Sequence, residues 1–151
     1  MEIKKIDGDF TVCKVADFSE VNFKAEYCFI GKTDEENSVV CRTEDAPKNT
    51  IQREDGWRIF RVEGILDFSL TGILANISAL LSEEKIPIFA ISTFNTDYIL
   101  IKKEREMDAL GKLQRAGGYK ILTGDVYGDY FMNRSMADIM AEYSEQHDEW
   151  E

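Results

Sequence analysis

Basic residues, histidine and cysteine are all scarce in this chain, and each shortage closes off a class of function. Lys and Arg number 18 against 29 Asp and Glu, giving a formal net charge of -11. No basic run stands anywhere along the sequence. A field of that sign repels phosphate backbones and offers no patch to an anionic membrane, so neither nucleic acid nor membrane is expected as a partner. The sole histidine, His147, lies in the acidic C-terminal stretch. Cys13, Cys28 and Cys41 therefore have no imidazole close in sequence, and their odd number without Cys-x-x-Cys spacing argues against a disulfide framework. They read as buried, reduced, small hydrophobes. The N-terminus, MEIKKIDGDF, has no apolar core of a signal peptide, and no apolar run reaches bilayer length, which reads as cytoplasmic residence. Gly117-Gly118 belongs to no Gly-x-Gly-x-x-Gly or Walker pattern. Carboxylates are plentiful, yet none sits in a motif that supplies a nucleophile or a metal. No catalytic residue, metal or cofactor is implied.

What is present is enough for a packed core. Of the 151 residues 44% are hydrophobic, which suits one ordinary domain or two very small ones sharing a core. After an Asp7-Gly8-Asp9 turn, Phe10 to Val15 reads as a strand, as do Glu26 to Lys32 and Ser38 to Arg42. The polar segment Glu44 to Asp55, with Pro47, has room for a short helix, and Trp57 to Val62 is a strand entered through Gly56. Ile73, Leu74, Ile77, Leu80 and Leu81 recur at helical spacing. Pro87 closes that helix and opens a strand to Phe94, and a short link returns the chain along Tyr98 to Lys102. Glu104 to Ala116 reads as a second helix with Met107, Leu110 and Leu113 inward, and Tyr119 to Thr123 as a last strand. The order from Trp57 to Thr123 is β-α-β-β-α-β, the ferredoxin-like arrangement. Trp57, Phe60, Phe89 and Phe94 follow the strand period and read as core. Ser135 is placed to cap a final helix with Met136, Ile139, Met140 and Tyr143 on its inner face.

Two motifs at a fixed separation, Asp67-Phe68-Ser69-Leu70-Thr71-Gly72-Ile73 and Ile91-Ser92-Thr93-Phe94-Asn95-Thr96-Asp97, resemble the second half of paired ACT domains. These are small-molecule-binding regulatory modules that usually sense amino acids. The likeness is to bacterial two-ACT proteins and, more distantly, to the arginine-sensing CASTOR proteins. It implies an α+β fold of two ferredoxin-like ACT units side by side with antiparallel sheets. The first unit, residues 1–56, would be abbreviated; the second would span 57–123, and an acidic helical tail 124–151. It implies a homodimer as well.

An amino-acid ligand needs donors for its carboxylate and acceptors for its ammonium group. The turn before the first helix can supply the donors through unpaired N–H groups, and Gly72 would let a ligand approach the backbone. Ser69 or Thr71 is placed to cap that helix, and Asp67 to face the ammonium. By the resemblance, Gly72 falls on the glycine of the ligand-binding turn and Asp67 to Thr71 on the loop before it. Ser92, Thr93, Asn95, Thr96 and Asp97 gather five polar groups at one strand end and its hairpin. By the resemblance that strand end lines the site, and Asp97 holds an acidic position that the arginine sensors use. Thr33 to Val39 resembles a further segment in which Ser38 and Val39 would close the pocket from the first unit. Leu70 stands where the arginine sensors carry an acidic residue, so an apolar or small ligand is implied rather than arginine. The expected function is non-catalytic binding of an amino acid or similar metabolite in a sensor or regulatory protein. The alternative is a protein-interaction module in which these residues only cap turns.

Overall fold

The computed structural model describes residues 1–63 and 72–123. In the C-terminal stretch it describes only Ala137, Met140, Ala141 and Ser144, which are helical and exposed. Asp67, Ser69, Leu70 and Thr71 lie outside the described residues, as do Ser135, Met136, Ile139, Tyr143 and His147. Met140, expected on an inner face, is 57% exposed.

Seven strands form one sheet among the described residues: β1 Glu2–Val15, β2 Cys28–Lys32, β3 Asn37–Arg42, β4 Thr50–Val62, β5 Ile88–Ser92, β6 Asp97–Lys102 and β7 Lys120–Leu122. Two helices, α1 Ile73–Glu83 and α2 Glu106–Gly117, join β4 to β5 and β6 to β7. The sheet order is β2-β3-β1-β4-β6-β5, antiparallel throughout except that β7 runs parallel to β1 at Glu2 to Lys4. The β-α-β-β-α-β order from β4 to β7 is as expected. The pairing differs in one place, because β7 lies against β1, so the start of β1 takes up a position between β7 and β4.

Two strands are longer than the sequence suggested. Asp7-Gly8-Asp9 is not a turn before a strand. Gly8, at φ 106, sits in a register shift between Ile6 and Phe10 inside the 14-residue β1. Gly56 likewise lies inside β4, which starts at Thr50, so position 56 falls mid-strand. The short helix expected between Glu44 and Asp55 is a single 3-10 turn at Thr43–Asp45.

Both faces of the sheet are covered. On one, α1 and α2 pack over Phe60, Val62, Ile99 and Ile101 through Ile77, Leu81, Leu110 and Leu113, with Ile73, Leu74 and Leu80 at the margin. Met107 does not join them and is 70% exposed. At about 100° per residue the inward face set by Ala109, Leu110 and Leu113 passes through position 106 rather than 107. Glu106 accordingly points in and pairs with Lys5 at 2.7 Å. The other face is covered by the sheet itself. Tyr98 on β6 meets Phe29 on β2 with ring centroids 5.0 Å apart, although three strands separate them in the sheet. The sheet is therefore curled, with Phe10, Val40, Trp57, Ile59 and Leu100 buried in its concavity. Trp57 and Phe60 are core as expected; Phe89 is 37% and Phe94 92% exposed, the latter because it lies beyond the strand, in the hairpin link.

The curl sets the two hairpins, β2–β3 and β5–β6, in matching places. Phe29 and Phe89, Thr33 and Thr93, Val39 and Ile99, and Arg42 and Lys102 correspond at one constant spacing. Each hairpin link is closed by a threonine N–H on a carbonyl, Thr33 to Glu36 at 3.0 Å and Thr93 to Thr96 at 2.8 Å. Each cation lies over an aromatic ring, Arg42 at 5.2 Å from Tyr27 and Lys102 at 4.6 Å from Trp57, and donates to a β1 or β4 carbonyl.

Helix α2 ends where Gly118 takes a left-handed φ of 69 and its N–H bonds the Gln114 carbonyl at 3.2 Å. Gly117 is needed for space. A Cβ there would lie 2.6 Å from the Tyr119 ring and 2.8 Å from Leu80 Cδ1, which closes the contact of α2 with α1. We expect Gly117→Ala to lose about 1–3 kcal/mol in urea unfolding. Unchanged stability would mean that the helices do not pack as described.

Candidate functional site

Helix α1 begins at a residue that has no side chain with which to cap it. Gly72, at φ 84, holds the N-cap position, and the first backbone bond runs from Asn76 N–H to the Gly72 carbonyl at 2.8 Å. The N–H groups of the first turn thus have no intrahelical acceptor, and the helix dipole favours an anion there. The cap expected of Ser69 or Thr71 falls on residues outside those described. Glycine is required by the left-handed backbone, not by crowding, since among the described residues a Cβ on Gly72 meets nothing within 4 Å.

Ser92 and Asp97 are register partners at the end of the β5–β6 ladder. The Ser92 hydroxyl donates to Asp97 Oδ1 at 2.6 Å. Alternation along β6 puts Asp97 on the side of Ile99 and Ile101, which is the face that carries α1. Asp97 has no Lys or Arg partner among the described residues, so its charge is offset only by a hydroxyl dipole. Thr93 is committed to the hairpin, its hydroxyl donating to the Thr96 carbonyl at 3.0 Å. Asn95 is exposed and Thr96 half-buried beside it.

The corresponding positions of the other hairpin divide. Ser38 donates to Glu36 Oε1 at 3.2 Å and lines a cavity in the concave face. Val39 is 1% exposed, packed with Cys13, Val15 and Cys41, so its side chain is core. The start of α1 and a carboxylate without a cation among the described residues therefore share one face of the sheet, while Ser38 opens on the other. Sequence reading passed over Lys14 and Gln52 and took Phe89 for core; all three line the same cavity as Ser38. The constant spacing between the hairpins was the signal that pairs Phe89 with Phe29.

The three thiols cluster on one side of the β1–β3 layer and are free. Burial pushes the Cys41 thiol up to about 12, and burial also raises Cys13 and Cys28. Among the described residues no group of three or more His, Cys, Asp or Glu side chains is placed to hold a metal. No helix of the described residues is long and apolar enough to cross a membrane.

This architecture, a curled antiparallel sheet with two helices on one face, is the ACT fold, and the family model for the ACT domain matches residues 52–115. Among solved structures the chain is similar to an Agobacterium tumefaciens protein at 26% identity, over 81% of this chain and 92% of that one, with a TM-score of 0.71. It is similar in fold to aspartokinase alpha and beta subunits at 15% identity, covering 78% and 98% of the two chains, with a TM-score of 0.55. A Clostridium acetobutylicum aspartate kinase, described as an allosteric enzyme, is 14% identical over 76% of this chain and 33% of its own, with a TM-score of 0.54. No curated protein gives a significant match.

Two outcomes follow from this geometry. Gly72→Ala should cost about 1–2 kcal/mol, since an alanine in the left-handed region clashes with its own carbonyl; an unchanged denaturation midpoint would show that α1 does not start there. Iodoacetamide at neutral pH should label half-buried Cys28 first and leave Cys13 and Cys41 untouched in the native protein, as peptide mass mapping would show. Early labelling of Cys41 would contradict its burial.

Proposed function

We propose that this protein is a non-catalytic regulatory protein that binds an amino acid or a similar small metabolite. Its ligand would lie between the start of α1 and the end of the β5–β6 hairpin. One observation carries the reading: the start of α1 at Gly72, whose first N–H groups have no intrahelical acceptor, and a carboxylate at Asp97 with no cation among the described residues stand on one face of the sheet. They are the complementary halves of a zwitterion's requirements. The ligand carboxylate would take the helix N–H groups and its ammonium Asp97, with Ser92, Thr93, Asn95 and Thr96 around the rim. Asp67, Ser69, Leu70 and Thr71 would close the pocket from the preceding loop, whereas Ser38, on the opposite face, and Val39, in the core, would not reach this ligand as the resemblance implied. Leu70 favours an apolar or small side chain over arginine. The ACT match supports a regulatory reading.

Regulation would work by population shift: ligand favours the arrangement it binds better, and a partner reads that arrangement. The two-unit reading, with residues 1–56 as a shortened ACT unit, is supported by the matched hairpins, and a homodimer with contacts from the C-terminal helix is proposed with it. A second reading rests on Phe94, which is 92% exposed at a closed hairpin tip and suits contact with a protein partner.

A thermal-shift screen of the amino acids tests the main reading. A ligand at about one hundred times its Kd should add about 2.7 kcal/mol of stability. For the ligand so found, Asp97→Ala should weaken binding by roughly ten- to a hundredfold in calorimetry, the worth of one charge-assisted hydrogen bond. Failure of every amino acid to raise the melting temperature, while Phe94→Ser abolishes a protein interaction, would move the function to the hairpin tip.

A further inference from the structure

A cavity of about 430 Å³ opens in the concave face of the sheet, away from the helices. Register aligns its floor in rows across β3, β1 and β4. Lys14 lies between Ser38 and Gln52, and Val12 between Val40 and Glu54. Phe89 from β5 supplies an apolar wall and meets Trp57 edge-on at 6.5 Å.

The charges in this cavity are not used up. Glu54 is held by Lys102 at 2.7 Å. Lys14, half-buried near the end of β1, has no side-chain hydrogen bond or ion pair among the described residues. Glu36 takes one bond, from the Ser38 hydroxyl, and no cation. An ammonium and a carboxylate thus line one cavity without pairing with each other. An anion placed against this half-buried ammonium would gain a charge-assisted hydrogen bond. A molecule carrying both charges at once would satisfy Lys14 and Glu36 together, and Val12 with Phe89 would cover an apolar body.

We propose that this concave cavity is a second binding site, for a small zwitterion with an apolar side chain, in which Lys14 receives the carboxylate and Glu36 the ammonium. It does not rest on the Gly72–Asp97 site, which uses the other face of the sheet.

The test is titration of the ¹⁵N-labelled full chain with L-phenylalanine as probe, beside phenylacetate and phenethylamine, each of which lacks one of the two charges. Amide shifts should appear at Val12, Lys14, Ser38, Gln52 and Phe89 with L-phenylalanine and be much weaker with either control. Lys14→Met should reduce the affinity at least about tenfold, and Asp97→Ala should leave these shifts unchanged. Shifts confined to Gly72, Ser92 and Asp97 would overturn the inference while sustaining the function proposed above. So would an unchanged affinity in Lys14→Met, or no shift at the named amides in the parent protein, a readout that needs no variant to fold. Equal binding of phenylacetate would overturn the assigned role of Glu36.

Discussion

Strand β1 is the element on which the rest of the structure hangs. Along nearly its whole length it gives one edge to β4, and it divides the other between β7 at its start and β3 at its end. Its 14 residues therefore hold the helix-bearing half and the N-terminal hairpin in one sheet. Backbone groups in such a position cannot be released singly, because each N–H or C=O freed in the interior has no water to replace its partner. Gly8 is what lets one strand serve both halves. Its left-handed φ shifts the register at mid-strand, and a Cβ there would come within 3.1 Å of Arg42 Nε. The guanidinium that fills this space reaches the Asp7 carbonyl at 3.1 Å.

The same constraint decides which surfaces are free for ligands. With β1 and β4 central and both hairpins curling toward each other, the apolar residues of the concave face are buried at its middle by Tyr98 and Phe29. Polar rows remain only beyond that contact, where Lys14 lies. On the opposite face the helices cover the middle of the sheet and leave the strand ends open, where Asp97 and the start of α1 are found. Both candidate sites are thus margins of a packed core, which is where polar groups can stay without partners in the protein itself.

The helical half was legible in the sequence because its periodicity is local. Ile77 and Leu81, Leu110 and Leu113, and the alternation in β6 all report their environment within a few residues. What stayed hidden depends on remote contacts. Glu2 to Ile6 carries Lys4 and Lys5 among its apolar residues and gives little sign of a buried strand. Only Glu106, across the sheet, explains why Lys5 is accommodated there. Gly8 and Gly56 carry the turn chemistry that sequence reading expects, yet flanking pairing on both sides keeps them within strands. Of the site, the strand-end pair Ser92 and Asp97 was legible as a polar interruption of an apolar strand. Lys14 was not, since its neighbours Gln52 and Ser38 come from strands far along the chain. Val39 was assigned to a pocket by resemblance, and its place in the core follows from alternation with Val40 on a strand covered on both faces.

Native-state hydrogen exchange along β1 is the most direct test of the claim that one strand unites the two halves. Amides from Ile3 to Val15 that bond to β3, β4 or β7 should fall in the slowest class and exchange together, through global unfolding. Rapid exchange from Ile3 to Ile6 with retained protection from Phe10 to Val15, or the reverse, would show two halves that open independently and would contradict the account.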